Sequence, residues 1–262
     1  MAKAYERIAD DLRRRVSAGE LSPGDRLPAE TTLVEEYAKS LPTIRQALGV
    51  LQAERLIEKL HGRGNFVRRP RTPVLRTNLR HQWEKGRARD AESDRARTGA
   101  AEHDSGLDQS DLVFRAAYRE VAAEPEVAKA LGVPVGTALV ERVYRTRYRA
   151  EPAPFTLVRS YLVREMVAVN PDLLDEGKEP YPGGTQSQLF SIGIELDRME
   201  EFVAARPPTV EEAEELAMPA GSAVLVVRKT AYDTDDRPVE HSVLILPGDR
   251  TEMLYTTRLD RW

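Results

Sequence analysis

A segment near the N terminus carries side chains suited to hydrogen bonding with nucleic acid. Thr43, Arg45 and Gln46 lie in a stretch whose apolar residues recur at helical spacing, namely Ile44, Ala47, Leu48 and Leu51. This spacing predicts a helix with a buried apolar face and polar side chains turned away from the core. Arginine and glutamine offer paired donors or acceptors to base edges, while threonine suits phosphate. We therefore predict that these three residues contact DNA.

The residues before this helix predict a second short helix and a tight joint. Leu33, Val34 and Tyr37 are spaced to bury one face of a helix that starts near residue 29 and ends near residue 39. Ser40 can cap the helix that follows, and a proline is tolerated in its first turn. Two short helices with a tight joint form a helix-turn-helix, so Lys39 and Ser40 join the predicted DNA surface.

A glycine-rich hairpin is predicted next. Residues 56–60 and 65–67 have strand character, and two glycines between them permit a tight turn. Its cationic tip adds His61, Gly62 and Arg63 to the predicted DNA surface. For a single arginine the alternative is a solvated surface charge, and a Gly-Arg-Gly sequence is usually only a turn. The order of helix, joint, helix and basic hairpin nevertheless favours DNA binding.

The charge of the chain is divided unevenly along its length. Over all 262 residues the formal net charge is −4. Residues 1–71 hold 14 Lys and Arg against 10 Asp and Glu, a net of +4, which leaves −8 for the remainder. A basic N-terminal region attracts the DNA backbone, and an acidic second region limits nonspecific binding. The sequence has no cysteine, which excludes disulfides, thiolate metal sites and a cysteine nucleophile.

Several short motifs occur in one order within residues 4–68. They include Tyr5-x-x-Ile8-Ala9, Pro23-Gly24-Asp25-Arg26-Leu27-Pro28, Thr43-Ile44-Arg45-Gln46-Ala47-Leu48 and Gly62-Arg63-Gly64-Asn65-Phe66-Val67. On these motifs the region resembles the winged helix-turn-helix domain of GntR-family bacterial transcription regulators. Leu41 departs from the pattern, because the family commonly has a DNA-contacting arginine at that position.

The middle of the chain is predicted to be a linker with a flexible polar insertion. Residues 84–110 are polar, mixed in charge and poor in large apolar side chains, without helical or strand periodicity. We therefore expect three regions. They are a DNA-binding domain in residues 1–70, the linker in residues 71–110 and a second domain in residues 111–262.

The second domain has the sequence pattern of an α+β fold with an antiparallel sheet. Strand-like runs are predicted at residues 113–122, 138–148, 155–163, 195–206, 223–232 and 239–246. Short helices are predicted at residues 124–131, 186–192 and 209–216, the last with a capping box formed by Thr209 and Glu212. Ala150-Glu151-Pro152 joins two of the strands as a hairpin, so an antiparallel sheet is expected.

The second domain also contains ordered motifs. They include Leu131-Gly132-Val133-Pro134-x-Gly136, Glu211-Glu212-Ala213 and Tyr232-Asp233-x-x-x-Arg237-Pro238-Val239-Glu240. On these motifs residues 108–260 resemble the UTRA ligand-binding domain of the HutC subfamily of GntR regulators. The resemblance implies a fold similar to that of chorismate lyase, with an effector held in a cleft beside the sheet.

The resemblance further implies a set of effector-binding positions. Arg145 and Arg147 stand on one face of a strand, where UTRA members present basic residues to an anionic group, although cross-strand ion pairing is the alternative. Thr185 and Gln186 follow two glycines at a helix start, which suits either an anion or a plain helix cap. Three strand residues complete the predicted set, with structural ion pairing as the alternative: Arg206, Tyr232 and Glu240.

Together the regions predict a ligand-responsive transcription regulator. A single winged helix makes too few base contacts for operator affinity, so a homodimer on an inverted-repeat operator is expected. We expect repression, relieved or retuned by a small anionic metabolite. The alternatives are a constitutive DNA-binding dimer and, because the second domain shares its fold with a lyase, an enzyme.

Other classes of function lack support in the sequence. No nucleotide-phosphate loop or Gly-x-Ser-x-Gly elbow occurs, and no metal-ligand spacing links the four histidines, His61, His81, His103 and His241. We therefore predict no catalytic residue, metal or cofactor. The sequence also has no apolar run near 18 residues and no signal-peptide pattern, so a cytoplasmic protein without a membrane partner is expected.

Overall fold

The computed structural model describes residues 3–60, 62–69, 71–97, 99, 102–103, 106, 108–219 and 221–259. The chain divides into two compact units. One comprises Met1–Thr72 with Pro219–Gly221, and the other comprises Pro73–Met218 with Ser222–Trp262. Among the described helices, none is both long and apolar enough to cross a membrane.

The first unit is a winged helix-turn-helix. Its elements follow one another as α1 (Ala4–Ser17), α2 (Glu30–Tyr37), α3 (Leu41–Ala53), β1 (Ile57–Leu60) and β2 (Gly64–Val67). The two strands pair antiparallel, with Ile57 opposite Val67 and Leu60 opposite Gly64. The predicted order of helix, joint, helix and hairpin is thereby confirmed.

Helical spacing of apolar residues explains the packing of this unit. Leu12, Leu33 and Ile44 come from the three helices and are all completely buried. Ala38 reverses the chain between α2 and α3 with a left-handed φ of 49°. Ser40 occupies the N-cap of α3, as predicted, but its hydroxyl pairs with that of Thr43 at 2.9 Å instead of bonding a backbone N–H. Ser40 therefore occupies the N-cap position without a side-chain bond to the first-turn amides, and its carbonyl accepts the first bond of the helix, from Ile44.

The second unit is built on a six-stranded antiparallel sheet. The strands are β4 (Leu112–Ala122), β5 (Ala138–Tyr148), β6 (Thr156–Val163), β7 (Leu196–Arg206), β8 (Val224–Asp233) and β9 (Pro238–Pro247). Their spatial order is β4-β5-β6-β9-β8-β7, and every neighbouring pair is antiparallel. Four short helices accompany them, α6 (Pro125–Leu131), α7 (Arg164–Val167), α8 (Gly184–Ser191) and α9 (Val210–Glu215). The predicted α+β class is confirmed.

The structure differs from the sequence expectation between residues 71 and 110. It has strand β3 (Val74–Thr77) and helices α4 (Arg80–Arg87) and α5 (Glu92–Arg95) in this stretch. β3 pairs in parallel with β10 (Thr251–Leu254), a strand nearly 180 residues away. Helix α4 packs against α8, and its Trp83 ring lies 4.6 Å from the Arg87 guanidinium. Pairing with a partner so distant in sequence produces no periodic pattern in the local sequence, so these elements were not predicted. The mobility of residues 84–110 remains a prediction.

Strand alternation gives the sheet two faces with different partners. Helix α6 packs with Leu139, Tyr161 and Val163 on one face. Residues an odd number of positions away along the same strand, such as Arg142 on β5 and Ser160 on β6, must point to the other face. Helix α8 lies on that second face, because its Gln188 bonds to Arg142. The second face is where the cavity described below is found.

We predict that one buried leucine governs the stability of the first unit. Leu33→Ala should lower the free energy of unfolding by about 2–5 kcal/mol, because it leaves a cavity in a fully buried site. Leu259→Ala is the matched control, since Leu259 is 86% exposed and its truncation should change stability by less than about 0.5 kcal/mol. Urea unfolding followed by circular dichroism measures both. Equal effects would contradict the packing described here.

Candidate DNA interface and effector cavity

The start of α3 presents the first group of predicted DNA contacts. Lys39, Ser40, Arg45 and Gln46 are exposed, and Thr43 is half-buried. The Arg45 side chain is 62% exposed, and its Nε donates to a carboxylate oxygen of Glu30 at 2.8 Å. An exposed ion pair of this kind is weak. The guanidinium is therefore available to exchange its carboxylate for a base or phosphate.

The wing presents the second group. Gly62 and Arg63 are exposed, and the Arg63 guanidinium lies 5.7 Å from the ring centre of Phe66. Gly64 has a φ of +113°, and a Cβ there would lie 3.1 Å from Nε of Arg26. The positive φ thus favours glycine at this wing position, where a Cβ would also press on the Arg26 side chain. His61, the remaining predicted contact, lies outside the described residues.

A large cavity lies on one face of the sheet in the second unit. Its volume is about 730 Å³. The sheet supplies the floor, and two segments distant in sequence supply the walls and roof. One runs from β3 through α4 to Glu102, and the other runs from Glu179 into the start of α8. The cavity is large enough for an organic metabolite.

A row of polar residues crosses the sheet on the face that holds the cavity. Each member lies directly opposite the next in the strand register, in the order Tyr118, Arg142, Ser160, Ser242, Lys229 and Glu201. We call this set the polar row. Ser160, Ser242 and Lys229 line the cavity. Polar side chains at the centre of a sheet are costly to bury unless they are bonded.

Arg142 holds the polar row together. Its side chain is completely buried, and its Nη2 donates to Ser160 Oγ at 2.7 Å, to Thr185 Oγ1 at 3.2 Å and to Glu240 Oε1 at 3.1 Å. Its Nη1 donates to Gln188. One guanidinium therefore joins three strands to helix α8, and all three of its Nη2 partners line the cavity.

Glu240 is ionised although it is buried. Burial raises the pKa of its carboxyl, but Lys229 and Arg142 oppose this and lower the pKa to about 2. Lys229 Nζ lies 3.2 Å from Glu240 Oε2, and Ser160 Oγ donates to Glu240 Oε1 at 2.6 Å. Two cations thus face this carboxylate, while Glu179, which also lines the cavity and acts electrostatically on Arg142, adds a second carboxylate nearby.

Ser242 adds a polar atom with spare bonding capacity. Only 1% of the residue is exposed, and its Oγ has no hydrogen-bond partner among the residues that the structure describes. It lies opposite Ser160 and Lys229 in the register and lines the cavity. Its hydroxyl can therefore bond to a water molecule or to a ligand atom in the cavity.

A second charged group lies in the wall. Arg76 Nη2 contacts Glu201 Oε1 at 2.7 Å, and His81 Nε2 lies 3.2 Å from the same oxygen. Burial raises the pKa of Glu201, while the bond with His81 and the charge of Arg76 lower it to about 2. Burial lowers the pKa of His81. Glu201 is therefore ionised and neutralises Arg76.

The start of α8 brings two predicted effector residues to the cavity. Gly183 and Gly184 precede them with φ values of +83° and +66°. Thr185 accepts from Arg142, and Gln186 Nε2 donates to the His81 carbonyl at 3.0 Å and to Glu84 Oε2 at 3.2 Å. Both residues line the cavity, as does the predicted Glu240.

The structure places Arg145 and Arg147 away from this cavity. They alternate with Tyr144 and with the polar row, so they lie on the opposite face of the sheet, where they line a separate groove of about 630 Å³. Arg145 Nε donates to Glu215. Arg147 Nη1 donates to backbone carbonyls of the adjacent turn, the shortest at 3.0 Å to Glu151.

The other two predicted effector residues are not among those lining the cavity. Arg206 forms a two-pronged pair with Glu212, at 2.6 and 2.7 Å. The Tyr232 hydroxyl donates to Glu200 Oε2 at 3.2 Å, and its ring lies 3.9 Å from the Arg198 guanidinium. The structure therefore brings together three of the seven predicted effector residues.

Sequence reasoning missed the members of the polar row and the wall residue His81. Arg142, Ser160, Ser242 and Lys229 each interrupt a strand that is otherwise rich in apolar residues. That interruption was the available signal. It was ambiguous, because a period of two does not indicate which of two polar sets faces inward. No cluster of potential metal ligands occurs among the described residues.

Comparison with known proteins matches both parts of the chain. The sequence model described as "UTRA domain" matches residues 116–252, and the one described as "Bacterial regulatory proteins, gntR family" matches residues 4–67. An HTH-type transcriptional regulator of Streptomyces coelicolor is 28% identical over 260 residues, which cover 97% of this chain and 92% of the relative. The histidine utilization repressor of Klebsiella aerogenes is 28% identical over 249 residues, covering 95% and 92%.

A solved structure agrees with these relatives. The crystal structure of a GntR-family transcriptional regulator matches with a TM-score of 0.67 at 26% identity, and the match covers 98% of each chain. The relatives and this structure carry the names of transcriptional regulators and not of enzymes. The predicted family and fold class are both confirmed. The chain belongs to the GntR family of bacterial regulatory proteins and carries a UTRA domain.

Proposed function

We propose that this regulator is a repressor that binds an inverted-repeat operator as a homodimer and is released or retuned by a small anionic effector. The observation that carries the proposal is the cavity of about 730 Å³ above a buried polar row that includes Arg142 and Lys229. Because it acts on the chromosome, we place it in the bacterial cytoplasm. The name of the Klebsiella relative supports repression.

Operator binding is assigned to the exposed polar residues of α3 and the wing. Arg45 and Gln46 are both exposed on the N-terminal half of α3, as a recognition helix requires. Arg63 supplies a cation at the hairpin tip. Arginine on a recognition helix suits guanine edges, and a wing arginine suits phosphate. Lys39, Ser40 and Thr43 at the start of α3 complete the proposed contacts.

The homodimer follows from the size of the DNA-binding unit. One winged helix reaches too few base pairs for operator affinity, whereas two copies related by a twofold axis read an inverted repeat. Light scattering on the purified protein should give twice the chain mass of 29.4 kDa. A monomer at the concentration that saturates operator DNA would overturn this part of the proposal.

The effector is assigned to the cavity because its floor is both polar and incompletely bonded. Lys229 and Ser242 line the cavity, and the Ser242 hydroxyl has no partner among the described residues. An anionic group there would accept hydrogen bonds from both side chains. A constitutive DNA-binding dimer, the second candidate, gives no reason for such a floor.

An effector can change operator affinity only through unequal affinity for two arrangements of the protein. The cavity provides a means, because its roof and walls come from segments outside the sheet. Thr185 and Gln186 belong to the start of α8, and His81 belongs to α4. We propose that a bound anion stabilises one placement of these helices over the sheet.

We predict that Arg45 and Arg63 differ in what they contribute to operator binding. Arg45→Ala should cost about 1–3 kcal/mol on the operator and little on unrelated DNA, because it removes base contacts. Arg63→Ala should weaken binding to both and flatten the salt dependence, because it removes a phosphate contact. Fluorescence anisotropy on DNA from upstream of the protein's own gene measures these effects.

Arg164→Ala provides the matched control for both DNA variants. Arg164 lies in the second unit, partly exposed and paired with Glu120, so its loss should leave operator affinity unchanged. Operator affinity unchanged in both the Arg45 and the Arg63 variants would remove the proposed DNA interface.

We predict that Lys229→Met makes the repressor insensitive to its effector. Loss of one charge-assisted hydrogen bond should raise the effector concentration for half-release roughly tenfold or more. Operator affinity without effector should be retained. A panel of organic carboxylates and phosphate esters, screened by release of labelled operator, supplies the effector for this titration.

Two further variants decide between the cavity and the opposite face of the sheet. Lys129→Met is the matched control, since Lys129 is exposed on α6. Arg145→Ala tests the position expected from sequence, and we predict a normal effector response. If Arg145→Ala abolishes the response while Lys229→Met retains it, the effector binds in the groove on the opposite face and not in the cavity.

A further inference from the structure

The cavity floor changes from polar to apolar along the strands. On β9 the residues that face the cavity are, in order, Glu240, Ser242, Leu244 and Leu246. On β6 Ser160 is followed on the same face by Val158. β9 therefore carries its polar residues at one end and its apolar residues at the other, whereas on β6 Thr156 follows Val158 on the same face and also lines the cavity.

The strand register aligns these changes across the sheet. Leu244 lies opposite Val158, and Val158 lies opposite Tyr144 on β5. Same-face residues are spaced about 6.8 Å apart along a strand, so the floor runs roughly 13 Å from Ser242 to Leu246. The apolar end is closed by aromatic rings, because Phe114 and Phe155 also line the cavity.

We propose that the cavity binds an amphipathic organic anion, with its charged head at Ser242 and Lys229 and an extended apolar body over Val158, Leu244 and Leu246. This inference rests on the proposed function and specifies the chemical class of its effector. A compact polar anion would leave the apolar half in contact with water. A body of hydrocarbon or aromatic carbon removes that surface from water.

The head is assigned to the polar end because Lys229 and the unpartnered Ser242 hydroxyl lie opposite each other there in the strand register. Ser242 Oγ is buried without a hydrogen-bond partner among the described residues. In the ion pairs that the described residues form, Lys229 Nζ contacts only Glu240. At the apolar end Leu244 and Leu246 are buried, and Tyr144 packs against Phe114 with ring centres 5.4 Å apart. A carboxylate placed over Leu244 and Leu246 would be desolvated among apolar side chains.

The experiment uses the full chain and straight-chain carboxylates of increasing length. Acetate, butanoate, hexanoate, octanoate and decanoate are titrated by isothermal calorimetry, with decanoate kept below its micelle concentration. Affinity should rise about fourfold per methylene group until the apolar end is filled. Octyl phosphate and octanol vary the head at fixed chain length. The phosphate ester should bind as octanoate does, and octanol at least tenfold more weakly.

Two variants locate the head and the body. Lys229→Met should lower octanoate affinity roughly tenfold without affecting octanol, while Lys129→Met should affect neither. Val158→Phe adds volume to the apolar half without emptying any packed site. It should weaken decanoate more than butanoate. Thermal unfolding of each variant shows that it is folded.

Some results would overturn the inference. Affinity independent of chain length, or inorganic phosphate binding as tightly as octanoate, would show that the cavity takes compact anions. If Val158→Phe lowers the affinity for butanoate and decanoate equally, the apolar body of the ligand lies elsewhere.

Failure of the inference and failure of the proposed function have different signatures. A compact anion that releases operator DNA in a Lys229-dependent manner would refute the amphipathic ligand and retain the effector-responsive repressor. Chain-length-dependent binding in the cavity, with no effect of any bound ligand on operator affinity, would retain the amphipathic ligand and refute the effector-responsive repressor.

Discussion

The buried pairing of Arg142 with Glu240 is the interaction on which the second unit depends. Both side chains are buried on the cavity face of the sheet, and Lys229 and Ser160 complete the set of bonds to the carboxylate. Removing one member of such a buried pair costs about 3–5 kcal/mol, because the other charge is left without a partner. The same guanidinium bonds to Thr185 and Gln188, so it also fixes the start of α8.

A buried ion pair adds little net stability compared with well-packed apolar residues. Its presence in this sheet is therefore better explained by the polar floor that it creates. Arg142 and Lys229 contribute two positive charges, which Glu240 and Glu179 face. These charged groups lie beneath a cavity large enough for a metabolite. The arrangement that satisfies the buried charges thus also prepares the site for an anion.

The sequence was sufficient to predict the elements that local patterns determine. Helical spacing predicted the helix that buries Ile44 and Leu51, observed as α3, and strand alternation predicted β5 as Ala138–Tyr148. The capping box of Thr209 and Glu212 is also present. The parallel pairing of β3 with β10 was missed, because each strand has four residues and its partner lies at the far end of the chain.

Prediction of the site was limited by the symmetry of strand alternation. The period of two correctly indicates that Arg145 and Arg147 share a face, but it does not indicate which face is covered by α8. The choice depends on long-range contacts such as that between Arg142 and Gln188. The two glycines before α8 mark the start of that helix in the local sequence. Thr185 and Gln186, which were predicted from this pattern, line the cavity.

Hydrogen–deuterium exchange with and without an effector identified by operator release tests the central claim most directly. The account predicts slower amide exchange in α4 and at the start of α8, because these segments form the roof of the cavity. Exchange around Arg115 and Arg147, on the opposite face of the sheet, should not change. Protection confined to that opposite groove, with no change in α4 or α8, would contradict the assignment of the effector to the cavity.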